Sequence, residues 1–286
     1  MKIESFLILA EPHKLMYPYE ESILSLAQFS NKVTIRYAAS RDEKYRLFEK
    51  ESFEKLCEIR EDLKDQSEIN IIEDHFWKKQ EDKTYSELRS VLVNAINDSE
   101  SDWFLKCDGD NVFQQNPEIR LLMEEKLKDF HCVYFPRINV QKRDSLSINW
   151  GNRDIYALNL RKIKSDGLFF EIGKTTNDWC RAVLGKEAST YVVQDPMIMP
   201  VNYDATFFTR SRIIDFWRKT VEVMARYNKK PDRLKDSTEE EVLAHMVAYK
   251  KRKIGMQCNI EHPVFIRDRV ESLTNDHWGL DNLGLM

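Results

Sequence analysis

Short apolar runs alternate with amphipathic stretches along the first half of the chain. Each apolar run ends in polar or turn-forming residues, as is typical of strands buried in a sheet. The runs predict strands over residues 6–10, 33–38, 69–72 and 103–108. Between them, apolar residues recur at helical spacing and predict helices over residues 20–30, 43–64 and 84–96. This alternation predicts an α/β fold with a mostly parallel sheet flanked by helices.

Capping residues mark where two helices are predicted to begin. Thr84 and Glu87 have the spacing of a capping box, in which each side chain accepts a hydrogen bond from the other residue's backbone N–H. Asn116 precedes Pro117, and an asparagine N-cap followed by proline at the first helical position predicts another helix.

The second half of the chain has a less regular pattern. Residues 132–135 and 154–160 are predicted to be strands, and residues 167–203 to be loops and short elements. Two amphipathic helices are predicted over residues 211–227 and 238–251. Ser237 and Glu240 have capping-box spacing at the start of the second one.

The composition excludes several classes of protein. The chain has 286 residues, of which 42% are hydrophobic, so a sizeable core is expected. The formal net charge is −4, so the whole molecule is not built to coat a polyanion. The five cysteines lack C-x-x-C spacing, which favours free thiols in a reducing cytoplasm. No apolar run approaches about 18 residues, so no transmembrane segment is predicted.

Two carboxylates follow the last of the four strands predicted in the first half. Asp108 and Asp110 are separated by Gly109. Ligands of open α/β sheets bind at the carboxyl ends of the strands, and two acids held there favour a cation. Hard oxygen ligands prefer Mg²⁺ or Mn²⁺, which commonly bridge carboxylates to a substrate diphosphate. An ordinary Asp-Gly turn is the alternative.

The sequence from Tyr85-Ser-Glu-Leu-Arg89 to Asp102-Trp-Phe-Leu-Lys-Cys-Asp-Gly-Asp110 resembles the nucleotide-sugar half of GT-A glycosyltransferases. It is most similar to the family-2-like group, in which an arginine-bearing helix precedes a strand ending in a DxD motif. The resemblance covers residues 2–112 and fades afterwards. It implies a metal-dependent hexosyl- or pentosyltransferase that moves a sugar, with inversion, from a nucleotide-diphosphate donor to a hydroxyl acceptor. A UDP-sugar is the favoured donor.

The resemblance also implies a domain organisation. Residues 1–204 would form a GT-A catalytic domain, divided into a nucleotide-sugar-binding half (1–112) and an acceptor half (113–204). Residues 205–286 would form a helical C-terminal extension packed on the catalytic domain.

Donor-binding residues are implied by the match to the family motif. Asp110 matches the position that binds Mn²⁺ or Mg²⁺, and Asp108 matches the position that contacts the ribose or shares the metal. Arg89 matches an arginine near the donor, and an exposed helix arginine is the alternative. Ser40 and Asp42 lie where such enzymes hold the nucleoside base.

Two further metal ligands are implied near residue 200. Related enzymes complete the metal shell with a histidine in this region. This chain has Asn202 and Asp204 there, and the oxygen atoms of either side chain suit Mg²⁺ or Mn²⁺. A strand end followed by a capped turn is the alternative.

Asp178 is the favoured general base for the acceptor hydroxyl. It lies in Thr175-Thr-Asn-Asp-Trp179, which is similar to the acidic base motif of the family except that Asn177 replaces a glutamate. A helix N-cap is the alternative role for Asp178, and Asp195 and Glu171 are competing bases. Trp150 and Trp179 are candidates for stacking on an acceptor sugar, with core packing as the alternative.

The acceptor is left open between several chemistries. A glycan or a lipid-linked sugar is the default for the family. Basic clusters at 226–235 and 250–253 leave room for a hydroxylated base of DNA, which predicts salt-dependent binding. Two alternatives of another class are a nucleotidyltransferase and a non-catalytic nucleotide-sugar-binding protein. A nucleotidyltransferase would usually have a glycine-rich loop after its first strand, and Ala10-Glu-Pro-His-Lys14 lacks one.

Overall fold

The computed structural model describes residues 1–12, 16–40, 43–74, 81–116, 118–142, 145–172, 182–203, 206–227, 232–252 and 256–273. Its strands are β1 (Ile3–Ala10), β2 (Lys32–Ala38), β3 (Glu68–Glu73), β4 (Trp103–Asp108), β5 (Asn111–Val112), β6 (Cys132–Tyr134), β7 (Arg137–Lys142), β8 (Ser145–Asn149), β9 (Tyr156–Asn159), β10 (Phe170–Ile172), β11 (Ala182–Leu184), β12 (Thr190–Val192), β13 (Val201–Asn202) and β14 (Met256–Cys258).

The α-helices are α1 (Tyr19–Ala27), α2 (Arg46–Leu63), α3 (Glu81–Asp98), α4 (Glu118–Leu121), α5 (Leu160–Ser165), α6 (Arg210–Tyr227), α7 (Glu239–Arg252) and α8 (Arg267–Glu271). Three 3₁₀ turns (Glu43–Tyr45, Pro196–Ile198 and Val264–Ile266) and a π-helical turn (Leu122–Lys126) join them. In the described part of the chain, every helix is too short or too polar to cross a membrane.

Seven strands form the central sheet, in the order β12-β6-β9-β4-β1-β2-β3. β1 lies between β2 and β4 and is parallel to both, and β3 continues the parallel arrangement beyond β2. β9 is antiparallel to its neighbours β4 and β6, whereas β12 is parallel to β6. The predicted α/β class with a mostly parallel sheet is therefore confirmed, and the carboxyl ends of β1 to β4 share one edge.

Helices cover both faces of this sheet. Leu7 and Leu9 of β1 belong to one buried cluster, together with apolar residues of α1 and α2. Phe6 and Ile8 of β1 belong to the opposite cluster, together with Leu88, Leu92 and Ile96 of α3. Because successive residues of a strand point to opposite faces, a strand covered on both sides is apolar at nearly every position, as β1 is.

A second sheet has the order β14-β8-β7-β13-β5. β7 and β8 form an antiparallel pair, and β13 lies parallel to β7 and antiparallel to β5. The pairing of β5 with β13 joins residues around 111 to residues around 202, and β5 directly follows β4. It therefore connects the acidic end of the central sheet to a much later part of the chain.

The C-terminal helices have a cluster of their own. Apolar residues of α6 and α7, among them Ile214, Trp217, Val242 and Met246, pack together and with Phe208. β14 pairs with β8, so the last part of the chain also adds a strand to the second sheet. The division at residue 204 stays a prediction.

Two of the predicted helix starts differ from the structure. α3 begins at Glu81, so the predicted start at Thr84 is wrong and Thr84 does not occupy the N-cap position. The capping box of α7 lies one residue later than predicted: the backbone N–H of Thr238 donates to Glu241, and that of Glu241 donates to the Thr238 hydroxyl. In contrast, Asn116 accepts a hydrogen bond from the Glu118 backbone N–H, as an N-cap should.

Candidate functional site

The two acids lie at the carboxyl end of β4, as the sequence predicts. β4 ends at Asp108, and Asp110 directly precedes β5. Gly109 is needed between them because of close packing: a Cβ atom at this position would lie 2.8 Å from Leu9 Cδ1 and 3.5 Å from Tyr17 Cδ2. The turn is therefore held tightly against the core.

Asp110 is buried, with 7% of its surface exposed, and asparagine amides meet both of its carboxylate oxygens. Asn111 Nδ2 donates to Oδ1 at 2.5 Å, and Asn202 Nδ2 donates to Oδ2 at 3.1 Å. The backbone N–H of Tyr203 donates to the Asp110 carbonyl at 2.7 Å. The structure thus brings together Asp110 and Asn202, two of the predicted metal ligands, and adds Asn111, which the sequence analysis missed.

Asp108 has a different environment, because Lys106 forms an ion pair with it. Lys106 Nζ lies 2.6 Å from Asp108 Oδ1. The lysine side chain is fully buried, whereas 29% of the Asp108 side chain is exposed. Lys106 pairs in the sheet with Phe6 on one side and Tyr156 on the other, so buried strands enclose it on both sides. In the sequence, Lys106 stands out only as part of the predicted strand over residues 103–108.

The residues around Asp110 fit a hard divalent cation by the chemistry of their donor atoms. A carboxylate and two asparagine side chains converge there, and rotation of each amide would turn its oxygen toward the cation in place of its NH₂ group. In the described residues, no group of three or more His, Cys, Asp or Glu side chains comes together. A cation held by the described residues would take its other ligands from these amides, from water and from a substrate diphosphate.

Ser40 lies beyond the carboxyl end of β2, on the same edge of the sheet as Asp108. Its hydroxyl donates to Glu11 Oε1 at 2.6 Å. Glu11 follows β1 and has a φ of 48°, which is uncommon for a residue other than glycine. Its backbone N–H donates to the Ala38 carbonyl, which fixes this conformation. Glu11 is not among the site residues predicted from the sequence, because its position beside Ser40 follows from the pairing of β1 with β2.

Of the other predicted site residues, some are described by the structure and some lie outside the described part of the chain. Arg89 is half-buried within α3, and no described contact joins it to Asp108 or Asp110. Trp150 is partly buried against the main core. Four predicted site residues lie outside the described residues: Asp42, Asp178, Trp179 and Asp204.

The two competing bases are described by the structure. Asp195 caps a 3₁₀ turn, because its Oδ1 accepts a hydrogen bond from the Met197 backbone N–H at 2.9 Å. Glu171 lies exposed on β10.

Arg212, near the start of α6, contacts the 3₁₀ turn that follows β2. Its guanidinium carbon lies 5.0 Å from the ring centroid of Phe208 and 5.7 Å from that of Tyr45. Its Nη2 atom is buried and finds no acceptor within the described residues. Tyr45 ends the 3₁₀ turn that follows the predicted base-binding segment, so this contact ties the two regions together.

A cleft of about 430 Å³ lies away from these acids. Its walls are polar and apolar residues of β1, β2 and β3 and the end of α3. Glu4 is buried beside it and accepts hydrogen bonds from Thr34 and Ser99, each at 2.6 Å, with Lys32 Nζ at 3.7 Å. Because Glu4 is satisfied by the protein itself, this cleft does not need a ligand to balance its buried charge.

Comparison with known proteins gives matches only among solved structures. No family model and no curated protein matches the chain. S. aureus TarS 1–349 is 14% identical with a TM-score of 0.40, and the match covers 86% of this chain and 71% of that one. TarS has also been solved with UDP and with UDP-GlcNAc.

Two other solved structures are similar at comparable levels. Mannosyltransferase PcManGT from Pyrobaculum calidifontis, in complex with GDP-Man and Mn²⁺, is 12% identical with a TM-score of 0.43, over 86% of this chain and 75% of that one. The inositol-1-phosphate CTP transferase from T. maritima is 10% identical with a TM-score of 0.35, over 71% of this chain and 89% of that one. A mannosyltransferase and a CTP transferase are both among the solved structures similar to this chain.

Proposed function

We propose that this protein is a metal-dependent glycosyltransferase that moves a sugar from a nucleotide-diphosphate donor to a hydroxyl acceptor. The observation that carries the proposal is the position of Asp108 and Asp110, at the carboxyl end of a strand parallel to its neighbour β1, with Asn202 hydrogen-bonded to Asp110. Donors bind at this edge of an open α/β sheet. The resemblance of residues 2–112 to the nucleotide-sugar half of GT-A glycosyltransferases supports the same conclusion.

The residues have distinct proposed roles toward the donor. Asp110, Asn111 and Asn202 hold Mn²⁺ or Mg²⁺, with Asp204 as a further ligand. When bound, the cation acts as a Lewis acid that stabilises the negative charge of the departing diphosphate. Asp108 accepts a hydrogen bond from a ribose hydroxyl through the part of its carboxylate that is exposed.

The remaining donor contacts come from other elements. Ser40 and Asp42 bind the nucleoside base, and Arg89 lies near the donor. Glu11, which accepts the Ser40 hydrogen bond, orients Ser40 for this contact. UDP-sugars are the favoured donors.

On the acceptor side, we propose direct displacement with inversion of configuration. Asp178 takes the proton from the acceptor hydroxyl as that oxygen attacks the sugar. Trp150 and Trp179 stack on the acceptor when it is a glycan or a lipid-linked sugar. The buried free thiols of Cys107 and Cys132 favour a reducing compartment, and we place the protein in the cytoplasm.

Binding and turnover with a panel of donors test the proposal. UDP-GlcNAc, other UDP-sugars and GDP-Man are titrated calorimetrically with and without Mn²⁺, and slow hydrolysis of the bound donor is followed in parallel. We expect one nucleotide-sugar to bind with Mn²⁺ and to be hydrolysed at the sugar–phosphate bond. Binding without any turnover, with every acceptor class tried, would favour a non-catalytic binding protein. Release of pyrophosphate from a nucleoside triphosphate would favour a nucleotidyltransferase.

The variant Asp110→Asn tests the proposed metal ligand. The amide keeps the size of the side chain but removes its charge, so donor hydrolysis should fall at least about a hundredfold. Asp65→Asn is the matched control, because Asp65 is exposed and lies in the turn between α2 and β3. Unchanged hydrolysis by Asp110→Asn would refute the role of Asp110.

A DNA acceptor is tested separately. If hydroxylated bases of duplex DNA accept the sugar, binding of the duplex should weaken steeply between about 50 and 200 mM salt, because phosphate contacts release counterions. Duplex binding that does not respond to salt, or no binding, removes this acceptor and leaves a glycan or lipid-linked sugar.

A further inference from the structure

Lys106 is an unexpected residue in the middle of a buried strand. Its side chain has no exposed surface, and its Nζ lies 2.6 Å from Asp108 Oδ1. Lys106 and Asp108 are two residues apart on β4, so their side chains project from the same face of the sheet. A buried lysine without a nearby opposite charge would be costly, and the ion pair with Asp108 offsets this cost.

The ion pair changes the charge that the acidic motif presents. Asp108 and Asp110 alone would carry two negative charges, and with Lys106 the three residues carry one. The asparagine amides that contact Asp110 are neutral, so they orient its carboxylate without cancelling its charge. Asp108 therefore contributes a hydrogen-bonding oxygen to the site but little net negative charge.

We propose that Lys106 sets the charge of this site, so that a divalent cation binds weakly to the protein alone and Asp108 is not one of its ligands. The inference rests on the proposed function, in which a donor diphosphate supplies the remaining negative charge. In the empty protein, Lys106 repels the cation from the Asp108 side of the motif. Lys106 is thus a positioning residue: it keeps Asp108 fixed and neutralised next to the metal position.

Four proteins that carry three different charges at the motif test this inference by binding of Mn²⁺ alone, measured by EPR. The wild type carries a charge of −1 over Lys106, Asp108 and Asp110, and Lys106→Met carries −2. Asp108→Asn carries 0, and the double variant Lys106→Met/Asp108→Asn returns to −1. A unit charge a few ångströms from a cation is strongly felt at a partly buried site. We therefore expect Mn²⁺ to bind about tenfold more tightly to Lys106→Met and about tenfold more weakly to Asp108→Asn.

The double variant distinguishes charge from direct ligation. If charge alone matters, its affinity for Mn²⁺ should lie within about threefold of the wild-type value. A double variant as weak as Asp108→Asn would show that Asp108 ligates the metal, and would overturn the proposal. Equal affinity of Lys106→Met and wild type, including no binding by either, would also overturn it.

Separate controls exclude misfolding of the variants and any dependence of the result on donor turnover. Thermal melts without Mn²⁺ verify that each variant is folded, and the double variant is expected to fold because replacing a buried ion pair with neutral residues is often tolerated. No donor is present in the Mn²⁺ titration, so a failure to find donor turnover would refute the proposed function without altering this result. Conversely, donor turnover with the wrong order of Mn²⁺ affinities would refute only the role of Lys106.

Discussion

Burial controls the chemistry of individual thiols in this protein. Cys107 and Cys132 lie on neighbouring parts of the central sheet but belong to the clusters on opposite faces. Burial raises the pKa of both thiols, that of Cys132 to about 12, with a hydrogen bond involving Tyr134 acting in the opposite direction. Both thiols therefore stay protonated, and unreactive, in the folded protein at neutral pH.

The raised pKa of Cys132 predicts a loss of stability at alkaline pH. The folded state keeps this proton at pH values where the unfolded chain, with a thiol pKa of about 8.5, releases it. The stabilisation is complete below about pH 8.5 and is lost progressively as the pH rises toward 12. Urea unfolding at pH 8 and pH 10 should therefore give a smaller drop in the free energy of unfolding for Cys132→Ala than for the wild type. An equal drop in both would contradict the prediction.

Single residues also show which parts of the site could be predicted from the sequence. Asp108 and Asp110 could be identified because an apolar run ends at them. In an open α/β sheet, ligands bind at the carboxyl ends of the strands, where these two residues lie. Lys106 was not identifiable, since one lysine in a short strand is equally consistent with a solvent-facing position. Its position on β4, between β1 and β9, encloses it on both sides in the sheet. Asn111 was missed because its role depends on Asn202, which lies far away in the sequence.

At the scale of elements, long periodic segments were predicted well and short ones were not. The strands and helices up to residue 108 lie close to their predicted positions, because each carries enough apolar residues to fix its period. The pair β7 and β8 was missed, although Ile138 and Val140 alternate with polar residues, as do Leu146 and Ile148. Such short alternation becomes a strand only when a partner strand supplies the hydrogen bonds.

A side-chain hydrogen bond to Glu4 links β1 to β2, and its contribution to the stability of the protein can be predicted. Thr34 of β2 donates to the buried carboxylate of Glu4 in β1. The substitution Thr34→Val keeps the shape of the side chain but removes the hydroxyl that donates to the Glu4 carboxylate. The free energy of unfolding, measured in urea, should therefore fall by about 1–3 kcal/mol. Thr190→Val, on exposed Thr190 of β12, is the control and should change stability by less than about 0.5 kcal/mol. Equal effects of the two substitutions would show that the hydrogen bond does not stabilise the fold.

At the scale of the whole molecule, the segment 256–273 returns from the end of the described chain to the back of the site. His262 Nδ1 lies 2.7 Å from the hydroxyl of Tyr203, whose backbone N–H holds the Asp110 carbonyl. Gln114, just beyond β5, donates to the Glu261 carbonyl. The end of the chain thereby supports the loop that carries the acids, which no local sequence pattern could have revealed.

Arg269 of α8 connects the C-terminal segment to earlier parts of the chain, and we predict how much its contacts stabilise the protein. It lies 4.2 Å from the ring centroid of Phe207 and 3.2 Å from the carboxylate of Glu21, which is only 13% exposed. Arg269→Ala should lower the free energy of unfolding by about 1–3 kcal/mol, because a cation–π contact is lost and the mostly buried carboxylate of Glu21 loses its partner.

The neighbouring Arg267 provides the control for this measurement. Both side chains of its ion pair with Glu261 are exposed. Arg267→Ala should therefore lower the free energy of unfolding by less than about 1 kcal/mol in the same urea experiment. If the two substitutions were equally mild, the C-terminal segment would not stabilise the molecule through Arg269.

The contact between Asp110 and Asn202 joins positions 92 residues apart through a ladder of only two residue pairs. During synthesis, a nascent chain therefore lacks one residue of the proposed cation site until Asn202 has left the ribosome. If the proposed cation binds both residues in the folded protein, it would act as a removable cross-link between early and late segments. Its departure would have to precede their separation, so saturating Mn²⁺ together with nucleotide should lengthen the lifetime of the native state.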